Sequence, residues 1–214
     1  MSGARVARAL AALLLAVVAP IAIAQPAPKG PGYELVEPAQ PTNAPAGQIE
    51  VIEVFNHSCI HCFDFQPMVD AWLKKKPANV KFTYLAAPLG GHFDVFARGY
   101  FAAEALGVAD KVHKGVFEAV FTKKTPIATI EDLAGVYEGL GVKREDFLAA
   151  ANSFAVNARM KQTAQMLTRY NALSTPTVLV AGKYRVTGVS AAGYPNVFGI
   201  VDQLIAKESA PAAQ

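Results

Sequence analysis

Residues 49–65 read IEVIEVFNHSCIHCFDF. The first seven, Ile49–Phe55, are mostly β-branched or aromatic and predict an interior strand. Downstream, Phe65, Met68, Val69, Trp72 and Leu73 recur at helical spacing. They predict a helix over 63–76, with Lys74, Lys75 and Lys76 as a charge cluster at its negative end. Pro67 falls inside that helix and predicts a kink. Between strand and helix lie Cys59 and Cys62, the chain's two cysteines.

A thiol at a strand–helix junction meets unpaired backbone N–H groups and the positive end of the helix dipole. Both stabilise an anion, so Cys59 is expected to be a low-pKa nucleophile. Cys62, one turn inside the helix, is the expected resolving thiol. His61 lies between them, where its imidazole can further stabilise the Cys59 thiolate. A stabilised thiolate favours the reduced pair and makes the disulfide a stronger oxidant. A Cys59 pKa three units under ambient pH would raise the potential by roughly 90 mV.

Other readings of the pair carry different consequences. As an architectural staple it closes almost no loop. Haem attachment requires a histidine directly after the second cysteine, and Phe63 stands there. A metal site could draw on Cys59, Cys62, His57 and His61, although structural zinc usually takes a second ligand pair from elsewhere in the chain. No other cysteine exists, and His92 and His113 are isolated in the sequence. His57, His92 and His113 read as surface or loop residues.

Two further features gain meaning beside the cysteines. In Ser174-Thr175-Pro176-Thr177 the proline heads a strand, as an ordinary trans strand-start proline does. Beside a redox pair, a cis-Pro176 would instead let the Thr175 backbone pair with an extended substrate peptide. Glu50 and Glu53 are three apart, so on a regular strand they face opposite sides and one can point to the core. A buried Glu53 near Cys62 would have a raised pKa and could pass protons during exchange, whereas an edge-exposed acid would be inert.

Working outward, residues 25–47 hold six prolines and predict an extended arm with a short edge strand at 33–36. A second strand is expected over 80–87. Helices follow at 93–106, 110–122, 130–140, 144–153 and 156–170, with breaks at Gly107, Pro126 and Gly141. Strands at 177–180 and 183–186 are joined at Ala181-Gly182 in hairpin fashion, and a last helix spans 194–207. The order predicts an α/β domain over 48–91 and 172–208, interrupted by a helical domain over 92–171.

The N-terminus predicts the compartment. Residues 1–8 are short and basic, 9–24 are apolar apart from Pro20, and Ala22-Ile23-Ala24 is a signal-peptidase pattern. The apolar run is too short to span a bilayer, so residues 1–24 are expected to be a signal peptide removed after Ala24. Arg5 and Arg8 are not adjacent, which gives no support to twin-arginine export. Without those two arginines the formal charge falls from +3 to +1, so no basic face is expected for nucleic acid. At 52% hydrophobic and 17% charged, the 214-residue chain can bury a sizeable core. A soluble protein in an oxidising compartment follows.

Four tracts, EVFNHSCIHCFDF (53–65), LGVADKVHKGVFEAV (106–120), GVKREDFLAAANSF (141–154) and STPTVLVAGKYRV (174–186), together resemble the periplasmic DsbA family of thioredoxin-fold disulfide oxidoreductases. The resemblance runs in family order over essentially the whole chain after the leader. It implies a thioredoxin-like fold with an inserted helical domain. By position, Cys59 resembles the family's nucleophile, Cys62 its resolving cysteine and His61 its thiolate-stabilising histidine. Glu53 resembles the buried acid, Pro176 the cis-proline and Pro67 the helix-kinking proline. Two departures bear on the potential: Ile60 stands where the family usually has proline, and Thr175 where it commonly has valine.

The implied activity is donation of the Cys59–Cys62 disulfide to exported proteins with free cysteines, by a monomer that needs no organic cofactor or metal. A DsbB-type, quinone-linked membrane oxidase would reoxidise it. A thiol reductase or isomerase on the same fold is the first alternative, although residues 25–47 are too short for an isomerase's dimerisation domain. A Cys/His metal-binding module and a redox-silent peptide-binding chaperone are the others.

Overall fold

The computed structural model describes residues 32–188, 191 and 193–210. The expected signal peptide, 1–24, and the start of the proline-rich arm lie outside the described residues. In chain order the elements are β1 (Glu34–Leu35), β2 (Ile49–Phe55), α1 (Ile60–Leu73), β3 (Val80–Ala86), α2 (His92–Ala105) and α3 (Ala109–Phe117). A π-helical turn at Glu118–Thr122 continues α3. Then come α4 (Ile130–Gly139), α5 (Arg144–Ala151), α6 (Phe154–Arg169), β4 (Thr177–Val180), β5 (Tyr184–Thr187) and α7 (Tyr194–Ser209). Among the described residues no helix is long and apolar enough to cross a membrane.

The strands form one mixed sheet in the order β1-β5-β4-β2-β3. β2 pairs parallel with β3, which α1 makes feasible as the crossover, and antiparallel with β4. All seven residues of β2 are buried, because both faces of the sheet are covered. On one face α1 and α7 pack Phe65, Val69, Trp72, Phe198 and Val201 against Val51, Val178 and Val180. Phe198 stacks between Phe65 and Trp72, with ring centroids 5.2 and 4.9 Å away, and the Trp72 indole N–H donates to Asp202 at 2.7 Å. On the other face Ile52, Val54 and Leu85 join one continuous apolar cluster with Phe96, Phe101, Leu133 and Phe147 of the intervening helices.

Glu50 and Glu53 face opposite sides of β2, as expected, and two-sided cover buries both. Glu53 is fully buried and Glu50 is 4% exposed, each under a different layer of helices.

Helix ends differ from the sequence expectation for local reasons. α1 starts at Ile60, not 63, because Cys59 is its N-cap, and it ends at Leu73, so Lys74–Lys76 lie at and beyond its C-cap. Pro67 is inside α1, as expected. α6 begins at Phe154 because the Ser153 hydroxyl accepts from the Val156 N–H at 3.2 Å. The helix expected at 110–122 changes to π geometry after Phe117. Ala181 and Gly182 both take positive φ (52° and 69°), and the Lys183 N–H closes the hairpin onto the Val180 carbonyl at 3.0 Å. A Cβ at Gly182 would stand 2.0 Å from the Gln40 carbonyl oxygen, so only glycine lets the arm cross there.

Two histidines are the main correction to the sequence reading. His57 (1% exposed) and His113 (4% exposed) are core residues, not surface ones, and His57 Nε2 lies 3.2 Å from His113 Nδ1. The rings of Phe55 and Phe117 meet both edge-on, and Tyr84 lies against His113. His113 falls on the apolar stripe Ala109-Val112-His113-Val116-Phe117 of α3, a helical spacing that marks an inward face. His92 remains exposed.

Burial holds both imidazoles below the ordinary histidine range. For His57, the neighbouring His113 adds to this. His113 falls to about 4, with Asp70 and Lys114 pulling in opposite directions. Between pH 6.5 and about 4 the unfolded chain therefore binds protons that the folded chain refuses, and stability is lost as pH falls through that window. The loss reaches at most about 1.4 kcal/mol per pH unit for each histidine. Urea titrations at pH 7, 6, 5 and 4.5 are expected to show this decline, and the double variant His57→Phe/His113→Phe is expected to flatten it.

Candidate active site

The connection from β2 to α1 is four residues long, Asn56-His57-Ser58-Cys59. The Asn56 side-chain oxygen accepts from the Ser58 N–H at 3.0 Å and from the Ser58 hydroxyl at 2.7 Å. Its backbone carbonyl accepts from the Cys59 N–H at 3.0 Å. This Asx-type turn delivers Cys59 in extended geometry (φ −92°, ψ 112°) as the N-cap of α1. Sulfur then occupies the place an N-cap oxygen usually takes: Cys59 Sγ accepts from the Cys62 N–H at 3.4 Å.

Both cysteines are thiols in this structure, and they are unequal. Cys59 reaches the rim at 9% exposed, whereas Cys62 is completely buried. The Cys59 thiol is lowered to about 6. The Cys62 thiol donating to it is the largest cause, and burial opposes it. Side-chain hydrogen bonding from Thr175 and the backbone N–H groups of Cys62 and His61 add to the lowering. Burial pushes the Cys62 thiol far upward, with hydrogen bonding to Cys59 and the charges of Cys59 and Glu53 acting the same way. Cys59 is thus the group that ionises at neutral pH, and Cys62 keeps its proton.

Thr175 and Pro176 arrive from the far side of the helical segment. The Thr175–Pro176 bond is cis, and Cys59 Sγ donates to the Thr175 carbonyl at 3.4 Å. The Thr177 hydroxyl donates to the Ser174 carbonyl at 2.7 Å and holds this corner at the head of β4. Glu53 lies on the α1 face of β2. Neither of its carboxyl oxygens has a hydrogen-bond partner, and burial first, then the charges of Cys59 and Asp70, raises its pKa well above the carboxylate range. A buried acid without partners holds its proton in preference to paying desolvation of the anion.

His61 differs in manner from the expectation. Its imidazole is exposed, with its ring centroid 5.9 Å from that of Tyr194, and its help to the Cys59 thiolate comes through the backbone N–H. His57, a conceivable metal ligand beside the cysteines, is engaged by His113 instead. Among the described residues no three His, Cys, Asp or Glu side chains form a metal-binding group. Sequence reasoning missed Asn56, which is fully buried directly before the motif. Its signal was available: a polar Asn-x-Ser triplet between an apolar strand and a helix marks an Asx turn.

A family model described as a DSBA-like thioredoxin domain matches residues 50–197. The thiol:disulfide interchange protein DsbA of Pseudomonas aeruginosa is 38% identical over 182 residues, covering 85% of this chain and 86% of that protein. The crystal structure of oxidoreductase DsbA from Xylella fastidiosa superposes with a TM-score of 0.78 at 35% identity, over 84% of this chain and 96% of that one. A Proteus mirabilis DsbA solved with a non-covalently bound peptide has a TM-score of 0.63 at 26% identity, over 83% and 97% of the two chains. With an N-capping thiol, a buried partner thiol and these relatives, the chain belongs to the DsbA family of thioredoxin-fold thiol:disulfide oxidoreductases.

Proposed function

We propose that the protein works as an oxidase of exported protein thiols, with Cys59 as the sulfur attacked and Cys62 as its resolving partner. The observation that carries the direction is the unequal environment of the two thiols, which stabilises the reduced pair through the Cys59 thiolate. At pH 7, a thiol near 6 in place of an ordinary one shifts the equilibrium about tenfold toward the reduced protein. That is at most about 1.4 kcal/mol or ~30 mV, since solvent at the rim screens part of it. It is smaller than the three-unit case the sequence suggested, and it has the sign of an oxidant.

In the forward reaction a substrate thiolate attacks Cys59 Sγ of the oxidised pair. The Cys59–Cys62 bond breaks, its electron pair goes to the Cys62 sulfur, and that sulfur takes a proton, for which Glu53 is the nearby buried acid. A second substrate thiolate then attacks the substrate sulfur of the mixed disulfide and expels Cys59 as a thiolate. The substrate loses two electrons and the protein gains them. The exposed apolar side chains of Ile60, next to Cys59 in sequence, and Leu173, two residues before Thr175 (46% and 59%), suit an unfolded peptide. The peptide bound by the Proteus mirabilis relative supports the same reading, with Thr175 and Pro176 as the peptide-facing corner.

The same proposal includes periplasmic residence after removal of residues 1–24, action as a monomer, and reoxidation by a DsbB-type quinone-linked membrane oxidase. It assigns 48–91 with 172–208 to the redox domain and 92–171 to an inserted helical domain.

Equilibration with glutathione buffers tests the direction. The pair is expected to stay reduced under conditions that oxidise an ordinary dithiol, and a strongly reducing potential would sink the oxidase reading in favour of a reductase. Disulfide donation to a dithiol peptide should vanish in Cys59→Ser, whereas Cys62→Ser, offered the same peptide in its disulfide form, should form a mixed disulfide through Cys59 with the peptide's other sulfur leaving as a thiolate, seen by non-reducing mass spectrometry. Thiolate absorbance at 240 nm should titrate near pH 6, and Thr175→Val should move that midpoint up by less than about one unit.

A further inference from the structure

Asn56 has every polar atom of its side chain matched. Its Nδ2 donates to two carbonyls, Ala87 and Phe93, each at 3.0 Å, and its Oδ1 accepts from the Ser58 N–H and hydroxyl. A carboxamide offers two donors and two lone pairs, and all four are used. The orientation of the amide is therefore fixed by its partners, since a flipped group would set oxygen against two carbonyls and N–H against an N–H.

These bonds join three separate parts of the molecule. Ser58 and Cys59 belong to the turn in front of α1. Ala87 follows β3 and returns its own N–H to the Phe55 carbonyl at 2.8 Å. Phe93 is in the first turn of α2, the entry to the helical segment. The Asn56 backbone carbonyl meanwhile takes the Cys59 N–H. One fully buried side chain thus fastens the turn to the sheet edge and the helical segment while shaping it from within.

We propose that Asn56 is a positioning residue for thiol–disulfide exchange: its carboxamide locks the Asn56–Cys59 turn so that the Cys59 sulfur sits over the N-terminal amides of α1. This rests on Cys59 being the reacting sulfur. The Asn56 backbone also hydrogen-bonds the Cys62 sulfur, but the carboxamide bonds Ser58, Ala87 and Phe93, and it acts through the placement of Cys59. No other common side chain supplies the same set. Aspartate would face two carbonyls with an oxygen, leucine would leave Ser58, Ala87 and Phe93 unmatched, and serine could serve only the Ser58 N–H.

The test compares full-length Asn56→Ala with the parent by thiolate absorbance at 240 nm and by equilibration with glutathione. The expected result is a Cys59 midpoint higher by about one unit and, at pH 7, a roughly fivefold shift of the glutathione equilibrium toward the oxidised protein. A merely structural role would lower the urea midpoint and leave both readings at the parent value, and that result overturns the proposal. Should Asn56→Ala fail to accumulate folded, Asn56→Ser carries the test. It retains an acceptor for the turn but cannot supply two N–H donors to Ala87 and Phe93, and parental values there overturn the proposal equally. Cys59→Ser separates the two readings: if the transition near pH 6 persists in that variant, the nucleophile assignment fails. If it vanishes there but is unmoved in Asn56→Ala, only the role of Asn56 fails.

Discussion

A sulfur atom standing where a helix needs an N-cap is the contact on which the rest of this structure depends. The first amides of α1 lack a carbonyl one full turn earlier, and that of Cys62 is shared between the Cys59 carbonyl at 3.1 Å and Cys59 Sγ at 3.4 Å. Meeting that requirement with sulfur couples a helix's structural need to the ionisation of a thiol. For this to work, the strand before it must end in register, the turn must be rigid, and the helix must be held fast. The buried β2, the Asx turn and the aromatic stack of Phe65, Phe198 and Trp72 supply those conditions in turn.

The two sulfurs are made unequal by position alone. Three residues along a helix carry the chain from the rim to the interior, so Cys59 keeps a solvent path while Cys62 loses it. Burial then works on everything behind the site in the same way. Cys62, Glu53, His57 and His113 are all driven toward their uncharged forms, because desolvation is the leading influence on each. The Cys59 thiol, at the rim, is shifted the opposite way, toward its charged form.

Local features of this architecture were legible in the sequence, and features made by distant packing were not. The run IEVIEVF, the spacing of Phe65 to Leu73 and the Cys59–Cys62 interval each encode their own outcome within a few residues, and they gave the right elements. Thr175 and Pro176 were readable only through their association with that interval. His57 and His113 were misread because isolated histidines carry no local mark of burial; their pairing across 56 residues exists only once α3 covers β2. Strand alternation said only that one of Glu50 and Glu53 can point to the core; both are buried because this strand has no wet face. The exposed His61 imidazole shows the reverse: its position in the motif was clear, but the direction of its side chain depends on neighbours such as Tyr194.

The contact between Cys59 and the Thr175 carbonyl spans 116 residues of sequence, with the helical segment between them. During synthesis the cysteines therefore emerge long before the corner that faces them. An unfinished chain has two reactive side chains and no assembled site, because closing so long a separation requires nearly the whole fold. Until that moment the molecule is chemically one more client of the thiol chemistry it will later perform. Completion of the last strands is what brings the Thr175 corner to Cys59.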